Sequence, residues 1–158
     1  MALNDRNRRK HMAAAQKLLP NGTALGYAIG RSGANPVVVV AAMVGTSLAI
    51  SVVLLVATGS IVIFGLLPML IVQHYISPPR GIVVADAGVA LTKRSLMNGK
   101  PHDVVATMAH GYVHPSEVSL GRVKIMVGTE PVWMSRGEEA VLRAAMSRPL
   151  QPPMSPHS

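Results

Sequence analysis

The chain has 158 residues, no cysteine, 14% charged residues and a net charge of +8. That length sets an expectation of one domain, and the absence of thiols excludes a disulfide framework, a thiol nucleophile and a Cys-based zinc site. Charge is unevenly placed, with none between Arg31 and Arg80, which marks a membrane region and leaves too little chain elsewhere for a large catalytic domain.

Residues 1–35 form a basic arm in which Arg6, Arg8, Arg9, Lys10, Lys17 and Arg31 face only Asp5. Lys17 arrives before any apolar stretch of signal-peptide length has formed, so the arm is expected to stay on the protein. Asn4 is placed to cap a helix running through Leu19, with Met12, Ala15, Leu18 and Leu19 on one side, before Pro20-Asn21-Gly22 ends it. Such an amphipathic helix is expected to lie on an anionic inner leaflet, with Arg6, Arg8, Arg9, Lys10 and Lys17 at the lipid surface. A frayed, solvated arm is the competing reading. A pI near 10.7 also suits nucleic acid, but these basic residues flank an apolar block, so the partner expected is lipid and not nucleic acid. Ala24 to Ile29 reads as one short strand.

Residues 36–77 are expected to form a transmembrane helical hairpin. Its first span, 37–57, is apolar apart from the small residues Gly45, Thr46, Ser47 and Ser51; its second, 61–76, contains Gly65 and Pro68 and ends in Gln73, His74 and Tyr75. One helix over both would be about twice the ~30 Å hydrocarbon thickness, so the chain must fold back, with Thr58-Gly59-Ser60 as the turn. A re-entrant second segment is the alternative, and Pro68 is expected to kink it. Six Lys and Arg precede the first span, Arg80 follows the second and the turn has none, which orients both termini to the cytoplasm of an inner (plasma) membrane protein. Ala41, Gly45 and Ala49 form a small-residue stripe for helix packing, either within the hairpin or in a homo-oligomer.

Residues 80–147 change to an alternating period. Gly81 to Ala85 and Val89 to Arg94 read as a hairpin about Asp86-Ala87-Gly88, and Arg122 to Val127 with Pro131 to Met134 as another about Gly128-Thr129-Glu130. Ser135 caps a helix over residues 136–146, with Glu138 at its third position. Residues 148–158 hold four prolines and are expected to be disordered; Pro149-Leu150-Gln151-Pro152 fits a common PxxP pattern. The fold class expected is membrane α+β, a two-helix transmembrane hairpin plus a small antiparallel β module with a C-terminal helix.

Leu19-Pro20-Asn21-Gly22, Gly30-Arg31-Ser32-Gly33 before the hydrophobic hairpin, Ile82 to Asp86 leading to Val89-Ala90-Leu91, and the Glu130 to Trp133 strand with its final helix resemble small actinobacterial membrane proteins. Their soluble part is similar to a bacterial pleckstrin-homology or GRAM-like module. Where that pattern has Val-Thr-Asp-Arg, this chain has Ala85 for the threonine and Ala87 for the arginine. The resemblance implies a scaffold or interaction role and brings no catalytic residues.

His110, His114 and Glu117 are the one cluster with metal-ligand character, but Gly111 and Pro115 oppose the helix that would align both rings, so a loop at the membrane surface is expected. Asp86 and Asp103 read as turn and loop carboxylates, and no Ser-His-Asp order or phosphate-binding glycine loop is present. The reading is a non-enzymatic, membrane-anchored cytoplasmic interaction module or accessory subunit of a larger membrane complex, without cofactor. A membrane or cytoplasmic protein partner is expected to meet Arg122, Lys124 and Trp133, although Trp133 also reads as core. A holin-like pore is the alternative from a different class, and a small zinc hydrolase a third.

Overall fold

The structure is a computed structural model describing residues 4–19, 22–59, 72–95 and 97–148. Its strands are β1 (Ala24–Ser32), β2 (Pro79–Ala85), β3 (Gly88–Arg94), β4 (Pro101–Met108), β5 (Val113–Ser119), β6 (Arg122–Val127) and β7 (Glu130–Ser135), and its labelled helices α1 (Asp5–Gln16), α2 (Pro36–Thr58) and α3 (Arg136–Met146). The strands make one seven-stranded sheet in the order β4-β3-β2-β1-β7-β6-β5. Every pairing is antiparallel.

Alternation along the strands decides which residues meet. Ala28, Ile82, Val84, Val89 and Leu91 from one half of the sheet join Val123, Ile125, Val127, Val132 and Met134 from the other, and α3 contributes Leu142 and Ala145 to the same core. The opposite face of β1, β2 and β3 presents Tyr27, Val83 and Ala90, which α1 covers with Ala15, Met12 packing beside it. Covering both faces explains why Gly81–Ala85 is buried throughout, whereas β6 buries only every second residue. Gly26 lets α3 approach β1: a Cβ there would collide with the Ala145 methyl.

α1 is capped as expected, Arg6 N donating to Asn4 Oδ1 at 3.2 Å, but its apolar side faces the sheet. Arg8 turns inward with it. Its Nη2 donates to Glu138 Oε1 at 2.7 Å and its Nη1 to the Tyr27 carbonyl at 2.7 Å. Glu138 N donates to the capping Ser135 Oγ at 3.3 Å, while the Glu138 carboxylate also accepts from Ile29 N at 2.9 Å. One acidic residue thus binds α1, β1 and α3 together.

α2 is the one described helix long and apolar enough to cross a membrane. Asn35 Oδ1 accepts from Val37 N, Pro36 occupies the first turn, and Gly59 closes the helix at φ +66°. Only 6% of its most apolar window is buried, and large side chains such as Val38, Leu48, Val53 and Val56 project outward. A helix apolar on every side needs an apolar solvent. Thr46, Ser51 and Thr58 donate their hydroxyls to the carbonyls four residues earlier, at 2.9, 2.9 and 2.7 Å, so the helix carries these polar groups already satisfied.

Several expectations change. Of the second span, 61–76, only residues 72–76 are described, and they are helical; a two-helix hairpin is not shown. The tail beyond Arg148 also lies outside the described residues. The segment expected as a surface loop is two strands, β4 and β5, joined through a 3-10 turn at His110–Tyr112. The short strand expected at 24–29 extends to Ser32 and runs down the centre of the sheet, so residues 80–147 hold only part of the module.

Candidate site at the membrane junction

The apolar insertion leaves the sheet at the end of β1 and rejoins it at the start of β2, its neighbour. Arg31 lies opposite Pro79 in the register, and Ser32 N donates to the Pro78 carbonyl at 2.9 Å. A polar collar binds the exit to the return. Ser77, with no exposed surface, donates its hydroxyl to Ala34 O at 3.2 Å, and its carbonyl accepts from Arg31 Nη1 at 3.0 Å. Trp133 Nε1 donates to Gly33 O at 3.1 Å while Gly33 N donates to Pro131 O at 3.1 Å, tying β7 to the same point.

Around this collar the charge is positive. Burial, followed by the fields of Arg122 and Arg94, lowers the Arg31 guanidinium from its ordinary value. Arg94 donates from Nε to Gly99 O at 2.9 Å, and a Cβ at Gly99 would lie 2.9 Å from Arg94 Nη2, with φ at +66°. Glycine therefore lets the 95–100 loop close against the guanidinium. Behind it, His11 stacks on Tyr27 with ring centroids 5.8 Å apart. Burial and then Arg94 and Lys100 hold His11 below its usual value. Burial pushes the Tyr27 phenol up to about 12. The neighbouring carboxylates are engaged elsewhere: Asp103 accepts from Lys93 at 3.0 Å and Glu130 from Arg80 at 2.7 Å. Among the described residues neither Arg94 nor Lys100 has an ion-pair partner.

The residues singled out from sequence are distributed as follows. Arg6, Arg9, Lys10 and Lys17 are exposed, but Arg8, expected at the lipid surface, is held by Glu138 inside the fold. Ala41, Gly45 and Ala49 are exposed on α2, and a Cβ at Gly45 would meet nothing within 4 Å among the described residues. Trp133 is buried, with Lys124 Nζ 5.7 Å from its ring centroid, so Lys124 and Arg122 are the partly exposed members of that trio. Lys124 also meets Glu117 at 3.5 Å. His110 sits in the 3-10 turn and His114 on β5, and among the described residues no three His, Cys, Asp or Glu side chains are grouped to hold a metal ion. Sequence reasoning missed the collar: Gly33 entered only within Gly30-Arg31-Ser32-Gly33 and Ser77 within no motif, and their roles exist only because β1 lies between β2 and β7. Comparison with known proteins gives no matching family model, no matching curated protein and no matching solved structure.

Proposed function

We propose that the chain is a non-enzymatic, membrane-anchored interaction module of the inner membrane, an accessory subunit that presents a β sheet to a cytoplasmic or membrane protein. The observation that carries the reading is the Ser32–Pro78 hydrogen bond. Because both ends of the insertion are fixed side by side in one sheet, any chain that crosses the bilayer after Asn35 must cross back before Ser77. With α2 as the outward span, residues 61–76 supply the return, and as a helix they would cover roughly 24 Å, within the mismatch a ~30 Å hydrocarbon layer accommodates. That arithmetic supports the hairpin.

α1 packs on the sheet and α3 contributes to its core, which supports a reading with both flanks on one side of the membrane, and the positive-inside rule favours the cytoplasm as that side. A seven-stranded antiparallel sheet with a C-terminal helix agrees with the pleckstrin-homology or GRAM-like resemblance. The exposed Arg6, Arg9, Lys10 and Lys17 add attraction to an anionic leaflet, Arg122 and Lys124 offer a polar contact for a protein partner, and the Ala41, Gly45, Ala49 stripe fits association with another helix or a second copy. The native chain lacks cysteine, which makes the test direct. In intact cells Thr58→Cys should react with a membrane-impermeant maleimide and Ser95→Cys should not; labelling of Ser95→Cys alone would refute the orientation.

A further inference from the structure

We infer that the groove between the 95–100 loop and the returning end of the insertion binds the phosphate of an anionic phospholipid. This rests on the membrane-anchored reading above and adds a site to it. The groove has a volume of about 600 Å³ and is lined by His74, Arg94, Ser95, Asn98, Lys100 and His102. Among the described residues no acidic side chain lines it. His74 lies three residues before the collar at Ser77, so the groove opens where the insertion meets the module, at the depth of lipid headgroups. Arg94 has its Nε fixed by the Gly99 carbonyl, and a guanidinium anchored by one nitrogen is prepared to bind phosphate oxygens with little loss of side-chain freedom. Lys100 supplies a second cation from an exposed position.

The rim of the groove has the other half of a lipid interface. Met97, at the tip of the same loop, is 99% exposed, and Tyr75, next to His74, is 80% exposed. An apolar tip and an aromatic ring flanking a basic cleft match the boundary between acyl chains and headgroups. An acidic peptide would account for Arg94 and Lys100 but not for the exposed Met97 and Tyr75 on the membrane side.

The test uses the full chain purified in mild detergent. Retained lipid is counted by native mass spectrometry after titration with dioleoyl phosphatidylglycerol, with dioleoyl phosphatidylcholine, or with phosphatidylglycerol in the presence of excess inorganic phosphate. Phosphatidylglycerol should be retained preferentially and should resist inorganic phosphate. Arg94→Gln with Lys100→Gln should weaken its retention by roughly thirtyfold, two basic residues acting at the headgroup level. Lys100→Gln alone, which removes no side-chain hydrogen bond or ion pair among the described residues, should weaken it roughly fivefold. Arg136→Gln, exposed on α3 and outside the groove, should change it little. Equal retention by wild type and Lys100→Gln would overturn the site, and displacement of the lipid by inorganic phosphate would overturn the lipid assignment. Release of the wild-type chain from membranes by alkaline carbonate would instead remove the anchored reading itself, so the two failures are separable.

Discussion

Arg8→Met tests whether the arm is part of the fold. In the native protein the Arg8 side chain is 16% exposed and that of Glu138 1%, and the pair is bidentate, with Nη2 to Oε1 at 2.7 Å and Nη1 to Oε2 at 3.1 Å. Removing the guanidinium leaves a buried carboxylate that keeps the Ile29 N–H but loses the charge opposite it. Breaking a buried pair from one side costs about 3–5 kcal/mol; the remaining hydrogen bond and the residual exposure of Arg8 place the expected loss near the lower end, about 3 kcal/mol. The assay is thermal unfolding in detergent, followed by circular dichroism and by the fluorescence of the single tryptophan. The second arm of the cycle is Glu138→Leu, and the double variant should lose clearly less than the sum of the two, because the unpaired charge has gone. A loss below about 1 kcal/mol for Arg8→Met would mean that α1 is a solvated arm and that its docking is energetically idle.

Three further outcomes are expected. His11 is held below its usual 6.5 by burial and by Arg94 and Lys100, so the folded state favours the neutral ring; its contribution is complete above about pH 6.5 and is lost as the pH falls below that. Melting curves between pH 7.5 and 5 should therefore slope less steeply for His11→Phe, which keeps the stack on Tyr27, and an unchanged slope would refute the assignment. Gly26→Val should cost about 1–3 kcal/mol in chemical unfolding, because the new side chain meets Ala145; wild-type stability would mean that α3 does not seat on β1. Asn35→Ala should cost about 1 kcal/mol in the same measurement by removing the cap of α2, and no change would show that the collar holds that helix end without it.

Where the sequence carried a local signal it was legible. The β2–β3 hairpin shows two apolar runs about Asp86-Ala87-Gly88, β6 alternates before Gly128-Thr129, and α3 follows a serine cap. The apolar run that became α2 was readable from composition alone. β4 and β5 were not, for physical reasons. They are the edge strands, most of their side chains are exposed, and burial is what writes a period into a sequence. His110, Gly111 and Pro115 added a loop-like composition. The role of Arg8 was hidden differently: among several basic residues in one short helix, nothing local distinguishes the one facing Glu138, 130 positions away. The junction groove was also illegible, since His74, Arg94 and Lys100 come from segments that meet only because the insertion ends beside the β3–β4 loop.

The position of β1 has a consequence for biosynthesis. This strand is synthesised before the apolar insertion, yet both of its sheet neighbours, β2 and β7, come after it. As the chain emerges, β1 has no edge to join and α1 has no completed sheet to cover until the apolar segment has passed the ribosome. The module therefore completes its sheet only after the apolar segment has been made. If the insertion crosses and recrosses the bilayer as proposed above, loop closure would require both crossings, since Pro78 must arrive next to Ser32. On that reading completion of the sheet would report on insertion, and a chain that failed it would leave β1 and the apolar face of α1 open to proteases.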